Sequence, residues 1–352
     1  MDARSGADSL LFSIAPPRVA SAASPDRSKL AIGYRGADSS RLMVVDVATG
    51  AVRRLHAAGR TYRYTLAWSR DGTRLAVGYF TERRVGRETL PGAGDIVIAS
   101  VDGGLTRVGC EASKMVYAWV TADTLVVGDG RALYPVDARG CRGDASMRLQ
   151  GQRDVTFSPD SRRLFYLATG QARRGQRTVA ATELHVARYD GSGARRVVGD
   201  PYDPQRARWS PDGGRIAFDV RPPDGPALRH IAVFDVAQQR VRFFPSQTAG
   251  GTPRDTNPFW APAGATLVHD RTLGGKTTKI LRTLGLDPSA VQTEPTVLLS
   301  ENPLGTVWGW ADESHFLVVS DQWVKLVSTS GGLVYEMPGG RTILHAAPLA
   351  AR

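Results

Sequence analysis

One local pattern returns along the whole chain and constrains its fold more than any other feature. The clearest copy is Arg208-Trp209-Ser210-Pro211-Asp212-Gly213-Gly214-Arg215-Ile216-Ala217-Phe218. Two others keep its register, Ala67-Trp68-Ser69-Arg70-Asp71-Gly72-Thr73-Arg74-Leu75-Ala76-Val77 and Thr156-Phe157-Ser158-Pro159-Asp160-Ser161-Arg162-Arg163-Leu164-Phe165-Tyr166. Looser copies begin at Ala23-Ser24-Pro25-Asp26, Ala118-Trp119, Phe259-Trp260 and Gly309-Trp310. With the residue at the Trp position as marker, the series is 23, 68, 119, 157, 209, 260 and 310. It spans nearly all 352 residues, and five of the seven tryptophans fall on it. A period of about 40 to 50 residues points to a repeat architecture, not to independent domains.

Each part of the repeat has a mechanical role. Ser, Pro, Asp and Gly suit successive turn positions, because Pro presets φ, Asp binds backbone amides and Gly tolerates positive φ. The corner leads into a β-branched and aromatic run such as Arg215 to Phe218, which reads as a strand. A further strand follows, such as Ile231 to Val236 or Leu42 to Val47, and then a fourth, such as Ala51 to Leu55. With the strand that carries the marker aromatic, each repeat has four strands, and the aromatic can fill the wedge between neighbours. No segment has sustained 3.6-residue periodicity, which excludes helical solenoids. The expectation is an all-β, seven-bladed β-propeller with four antiparallel strands per blade. It forms one domain over 1–352, with blades near 16–60, 61–112, 113–150, 151–202, 203–252, 253–304 and 305–347. Segments 1–15 and 341–352 are expected to close the ring by pairing across the termini, removing an exposed edge.

On these residues the repeat resembles the PD40 (WD40-like) repeats of TolB and of the propellers attached to prolyl-oligopeptidase-type enzymes. The shared element is W-S-P-D-G followed by a basic residue and a short apolar strand, best kept at Trp209 to Phe218, Trp68 to Val77 and Phe157 to Tyr166. The chain departs from TolB in having seven repeats and no preceding α/β domain. It also lacks the Gly-His and Trp-Asp pairs of eukaryotic WD40 repeats. The resemblance implies a bacterial binding scaffold in the periplasm or outside the cell. Leu10 to Ala15 is too short, and Asp2 and Asp8 too acidic, for a signal peptide, so the N-terminus reads as mature sequence. No run approaches the roughly 18 apolar residues of a membrane span.

The net charge of +11 comes from 45 basic residues, 40 Arg and 5 Lys by count, against 34 acidic ones. Only two asparagines occur, Asn257 and Asn302, a bias that fits a GC-rich coding sequence. If the Ser-Pro-Asp-Gly corner joins the first and second strands, the loops between second and third strands share the opposite face. Those loops carry Arg83, Arg84 and Arg87 in blade two and Arg173, Arg174 and Arg177 in blade four. Blade five adds Arg221 and Arg229, and blade six adds Arg271, Lys276 and Lys279. Such a rim suits an acidic protein, an anionic glycan or a lipid headgroup. It lacks the interleaved aromatics that stack nucleic-acid bases, so nucleic acid is not the expected partner. Blade three is short, leaving a gap in this rim near Gly128 to Arg131.

Motifs for catalysis are missing. There is no G-x-S-x-G, and Asp190-Gly191-Ser192-Gly193 reads as a hairpin turn. Leu273-Gly274-Gly275-Lys276-Thr277-Thr278 is not a phosphate loop, because the motif's first Gly would fall at Asp270. The six histidines show no ligand spacing; His230, His269 and Asp270, near strand ends, form the weak metal candidate. Arg206 and Arg208 flank an innermost strand and could line the channel. Cys110 and Cys141 are either two buried thiols or one disulfide joining neighbouring blades. The leading reading is a monomeric, non-catalytic scaffold that takes a protein or an anionic ligand on its long-loop face, with no cofactor class indicated. The alternatives are a lactonase-, lyase- or hydrolase-like propeller enzyme with its site at the channel mouth, and an extracellular sensor domain of a membrane-anchored protein.

Overall fold

The computed structural model describes residues 18–338, except 27, 36–38, 59–61, 86–87, 101–104, 108–114, 129–131, 141–148, 151, 175–176, 222–227, 245–250, 284–295, 300–305, 311–313, 320–322 and 331–332. The terminal segments 1–15 and 341–352, Arg87, Cys110 and Cys141 lie outside the described residues. Among the described residues there is no helix long and apolar enough to cross a membrane. The described strands assemble into seven four-stranded antiparallel sheets in chain order. Each marker closes the first strand of a sheet: Arg18–Ala23, Arg63–Trp68, Met115–Trp119, Gln152–Phe157, Gln205–Trp209, Arg254–Trp260 and Thr306–Trp310.

The corner that follows is held by one recurring set of bonds. Ser210 Oγ donates to Asp212 Oδ1 at 2.5 Å and accepts the Arg215 N–H at 2.9 Å, while Asp212 Oδ1 accepts the Gly214 N–H at 2.9 Å. Ser24 with Asp26, Ser69 with Asp71 and Ser158 with Asp160 repeat that geometry. The four serines are buried, so the carboxylate satisfies a hydroxyl and an amide that water reaches poorly. In four of the corners the fourth residue is left-handed: φ is 68° at Gly72, 70° at Gly213 and 72° at Gly264, and 52° at Ser161.

The core is divided among the sheet-to-sheet interfaces. Six apolar clusters each join two consecutive sheets; one unites Phe165, Leu167 and Leu184 of the fourth sheet with Trp209, Ile216 and Phe218 of the fifth. The marker tryptophans add a polar staple. Trp68 Nε1 donates to Ala22 O at 2.9 Å, Trp119 to Ala67 O at 3.0 Å, Trp209 to Thr156 O at 3.1 Å and Trp260 to Arg208 O at 3.0 Å. The acceptor is always the residue before the marker of the preceding sheet. First strands therefore lie against first strands and form the innermost layer, the arrangement of a β-propeller. Trp310 departs from the set: its buried Nε1 has no hydrogen-bond partner among the described residues.

Candidate functional site

The end of the molecule opposite the corners carries the features that could bind something. Two sheets send out hairpins far longer than the rest. Strands Arg74–Val85 and Glu88–Ser100 have 12 and 13 residues, and Arg163–Arg174 and Arg177–Arg188 have 12 each. The equivalent strand Arg215–Val220 has 6. The extra six residues amount to roughly 20 Å of strand. What the sequence suggests as long loops is therefore ordered ribbon. Antiparallel pairing runs out to Val85↔Glu88, with a register shift between Phe80 and Glu82, and to Arg174↔Arg177. Among the described residues no third strand of the ladder pairs with 81–85 and 88–96, or with 169–174 and 177–183.

Arg83 and Arg84 lie near the tip of the first ribbon, where Arg84 is exposed; Arg173, Arg174 and Arg177 form the last described pairs of the second. Arg221 and Lys276 are also exposed at this end. Lys276 follows Gly274 and Gly275, whose φ values of 57° and 80° fit a two-residue hairpin turn. Arg229, Arg271 and Lys279 are placed differently. Arg229 and Lys279 are buried and Arg271 nearly so, each held by carboxylates, so they are no part of an exposed basic rim.

These three cations belong to an ion network between the fifth and sixth sheets. Asp219, fully buried, accepts Arg206 Nε at 2.7 Å on Oδ2 and Arg206 Nη2 at 3.0 Å on Oδ1. It also accepts Arg229 Nε, and the Asn257 backbone N–H at 3.3 Å. Arg229 also reaches Asp203, Nη1 donating to Oδ2 at 3.0 Å and Nη2 to the carbonyl at 2.5 Å, while Nη2 donates to the Asp219 carbonyl at 3.2 Å. Burial pushes the Asp203 carboxyl up, but hydrogen bonding and charge from Arg229 outweigh it and hold it below the usual range. In the sixth sheet Arg271 chelates the buried Asp255 at 2.8 Å through both Nε and Nη2, and Lys279 Nζ bonds Asp270. Four carboxylates thus meet four cations, which is how charges are kept inside a protein.

Three bulges shape the innermost strands at the same level. Asp154, Arg206 and Asn257, each three residues before its marker, adopt φ of 52°, 50° and 56°. The pairing register slips beside each of them. A bulge re-aims a side chain, and here Arg206 turns to Asp219 and Asn257 Nδ2 to Asp270 Oδ2 at 3.3 Å. In the fourth sheet the matching partner position is Leu167, and Asp154 stays exposed.

The metal candidate fares as follows. His269 is fully buried with Nδ1 3.8 Å from Asp255 Oδ1, and Asp270 faces the Lys279 ammonium, the place a cation would take. His230 opens the third strand of the fifth sheet, half buried, opposite Val220. Among the described residues no group of three or more His, Cys, Asp or Glu could hold a metal ion. Arg208 lies over the Phe259 ring, 5.0 Å from its centroid. Solvent reaches it, yet desolvation by the surrounding protein lowers its guanidinium pKa.

The network was missed in the sequence, although it left a signal. Asp219 stands inside Ile216 to Val220, where every neighbour is a buried apolar residue, and a strand keeps an acid in such a place only when cations come to it.

No protein-family model matches the sequence, and no curated protein matches it. Solved structures do match it in shape. A eukaryotic initiation factor aligns with a TM-score of 0.56 at 11% identity, over 94% of this chain and 90% of that one. An oligogalacturonate lyase in complex with manganese aligns with a TM-score of 0.54 at 15% identity, over 88% of this chain and 84% of that one. TolB from Acinetobacter baumannii aligns with a TM-score of 0.47 at 12% identity; 90% of this chain is covered, but it spans only 64% of that TolB. The chain is an all-β protein with the β-propeller fold.

Proposed function

We propose that the chain is a seven-bladed propeller, each four-stranded sheet one blade, that works as a non-catalytic binding scaffold through its hairpin face. The binding elements are the ribbon tips with Arg83, Arg84, Arg87, Arg173, Arg174 and Arg177, assisted by Arg221 and Lys276; the partner is an acidic protein surface or an anionic ligand.

One observation carries this reading. Two ribbons that no third strand pairs among the described residues run past their sheets and end in arginines on the same side of the molecule. A two-stranded ribbon alone is marginal in water, and its unpaired edges invite another chain. Arginine tips bias that capture toward carboxylates or phosphates. In a pull-down with the full chain, changing Arg83, Arg84, Arg173, Arg174 and Arg177 to Glu is expected to abolish capture of the partner held by the wild type. Undiminished capture would remove the ribbons from the binding face.

A further inference from the structure

We propose that a cleft between the first and second sheets, at the corner end of the molecule and away from the ribbons, is a binding site for a small aromatic acid. The cleft has a volume of about 220 Å³, and among the described residues its apolar lining includes Val44, Leu55, Trp68, Leu75 and Ala99. That is room for a bicyclic ring, since an apolar cavity of about 150 Å³ already takes up benzene.

The chain itself shows what fits such a place. Leu75 and Ile216 each stand seven residues beyond the marker of their sheet, and they pair with Ala99 and Phe234. Ala99 therefore holds in the second sheet the position that Phe234 holds in the fifth. The wall opposite is equivalent too. Arg53 pairs with Val44 in the first sheet as Arg195 pairs with Val186 in the fourth. Val44 and Val186 each precede the residue that faces the seventh position beyond the marker, Val45 opposite Leu30 and Ala187 opposite Leu164. Between the fourth and fifth sheets Arg195 lies over the Phe234 ring, 5.2 Å from its centroid. Between the first and second the arginine is kept and the ring is replaced by Ala99, and both line the cleft. Trp68 bears the consequence: it is half-buried, whereas Trp119, Trp209, Trp260 and Trp310 are buried. Its Nε1 bond to Ala22 O fixes the indole, and a fixed indole beside a guanidinium is a surface on which an aromatic ring stacks. Of the charged residues lining the cleft, Lys29 and Arg53 are cations and Asp46 is an anion, a balance that favours a ring carrying a carboxylate. This site does not depend on the hairpin-face reading.

Isothermal titration of the full chain with naphthoate tests the proposal, with cyclohexanecarboxylate and naphthylmethylamine as comparators. Naphthoate is expected to bind about tenfold or more tightly than either. Ala99→Phe supplies the ring from within the chain, as Phe234 does, and is expected to weaken naphthoate binding about tenfold or more without lowering the melting temperature. Val52→Glu, at an exposed position lining the cleft, is expected to weaken binding as well, and it keeps the test decisive if Ala99→Phe proves overpacked. A variant with Arg173 and Arg174 changed to Glu is expected to bind naphthoate as the wild type does. Absence of naphthoate binding would overturn the proposal. So would equal binding of either comparator, binding that survives both cleft substitutions, or binding that disappears with the ribbon substitutions while the melting temperature is unchanged.

Discussion

The marker tryptophans offer a comparison with its own control. Trp209 and Trp310 are buried alike, 9% and 5% exposed, and each packs obliquely on a phenylalanine, Phe165 at 5.9 Å and Phe316 at 5.4 Å between centroids. Replacing either by Phe removes about the same apolar area, so that part of the cost nearly cancels. The difference lies at Nε1. At Trp209 the change deletes a 3.1 Å bond and strips Thr156 O of its donor, a loss of about 0.5–1.5 kcal/mol. At Trp310 it removes a buried N–H that has no partner among the described residues, and relief of that desolvation is worth about 1–3 kcal/mol. Trp209→Phe should therefore be more destabilising than Trp310→Phe by roughly 3 kcal/mol. Urea unfolding followed by far-ultraviolet circular dichroism measures this without relying on the fluorophore being changed. Equal midpoints, or a lower one for Trp310→Phe, would refute the idea that the staple contributes beyond ring burial.

Asp219→Ala leaves the buried Arg229 guanidinium with Asp203 as its one carboxylate and is expected to cost about 3 kcal/mol; replacing Asp219, Arg206 and Arg229 together by apolar residues should recover much of that in the same unfolding assay. Ser161→Gly should raise stability by up to about 1 kcal/mol, because a left-handed backbone suits Gly better than Ser. The corner carboxylates set an acid limit. Hydrogen bonds from Ser69 and Thr73 lower the Asp71 pKa from 3.8 to about 2, and Ser24 and Ser28 do the same for Asp26. Groups with a depressed folded pKa stabilise the fold above their unfolded value and lose that contribution as pH falls through the folded one. Melting temperatures should thus drop between about pH 4 and pH 2, and Asp71→Asn should flatten part of that drop.

Much of the fold was legible before any coordinates, because the repeat is local. Ser210, Asp212 and Gly213 make their corner with residues no more than five apart in sequence, so their chemistry is readable in a short window. Trp209 is legible too, as a bulky apolar residue at a fixed offset. Its polar partner is not, since Thr156 O lies 53 residues away.

The fate of the charges belonged to the tertiary structure alone. In sequence Arg229, Arg271 and Lys279 resemble Arg84 and Lys276, cations near strand ends in an Arg-rich chain. Only strand register shows that the first three face carboxylates inside sheets five and six, while Arg84 and Lys276 meet water. The ribbons have the same origin. Whether residues 81–96 and 169–183 loop or pair depends on partners across the hairpin, not on any residue's own preference. The repeating corner and its period were determined by the sequence itself, because local turn and strand propensities act within a few residues. Which arginines remain available for binding was decided only when neighbouring sheets brought, or failed to bring, an acid to each of them.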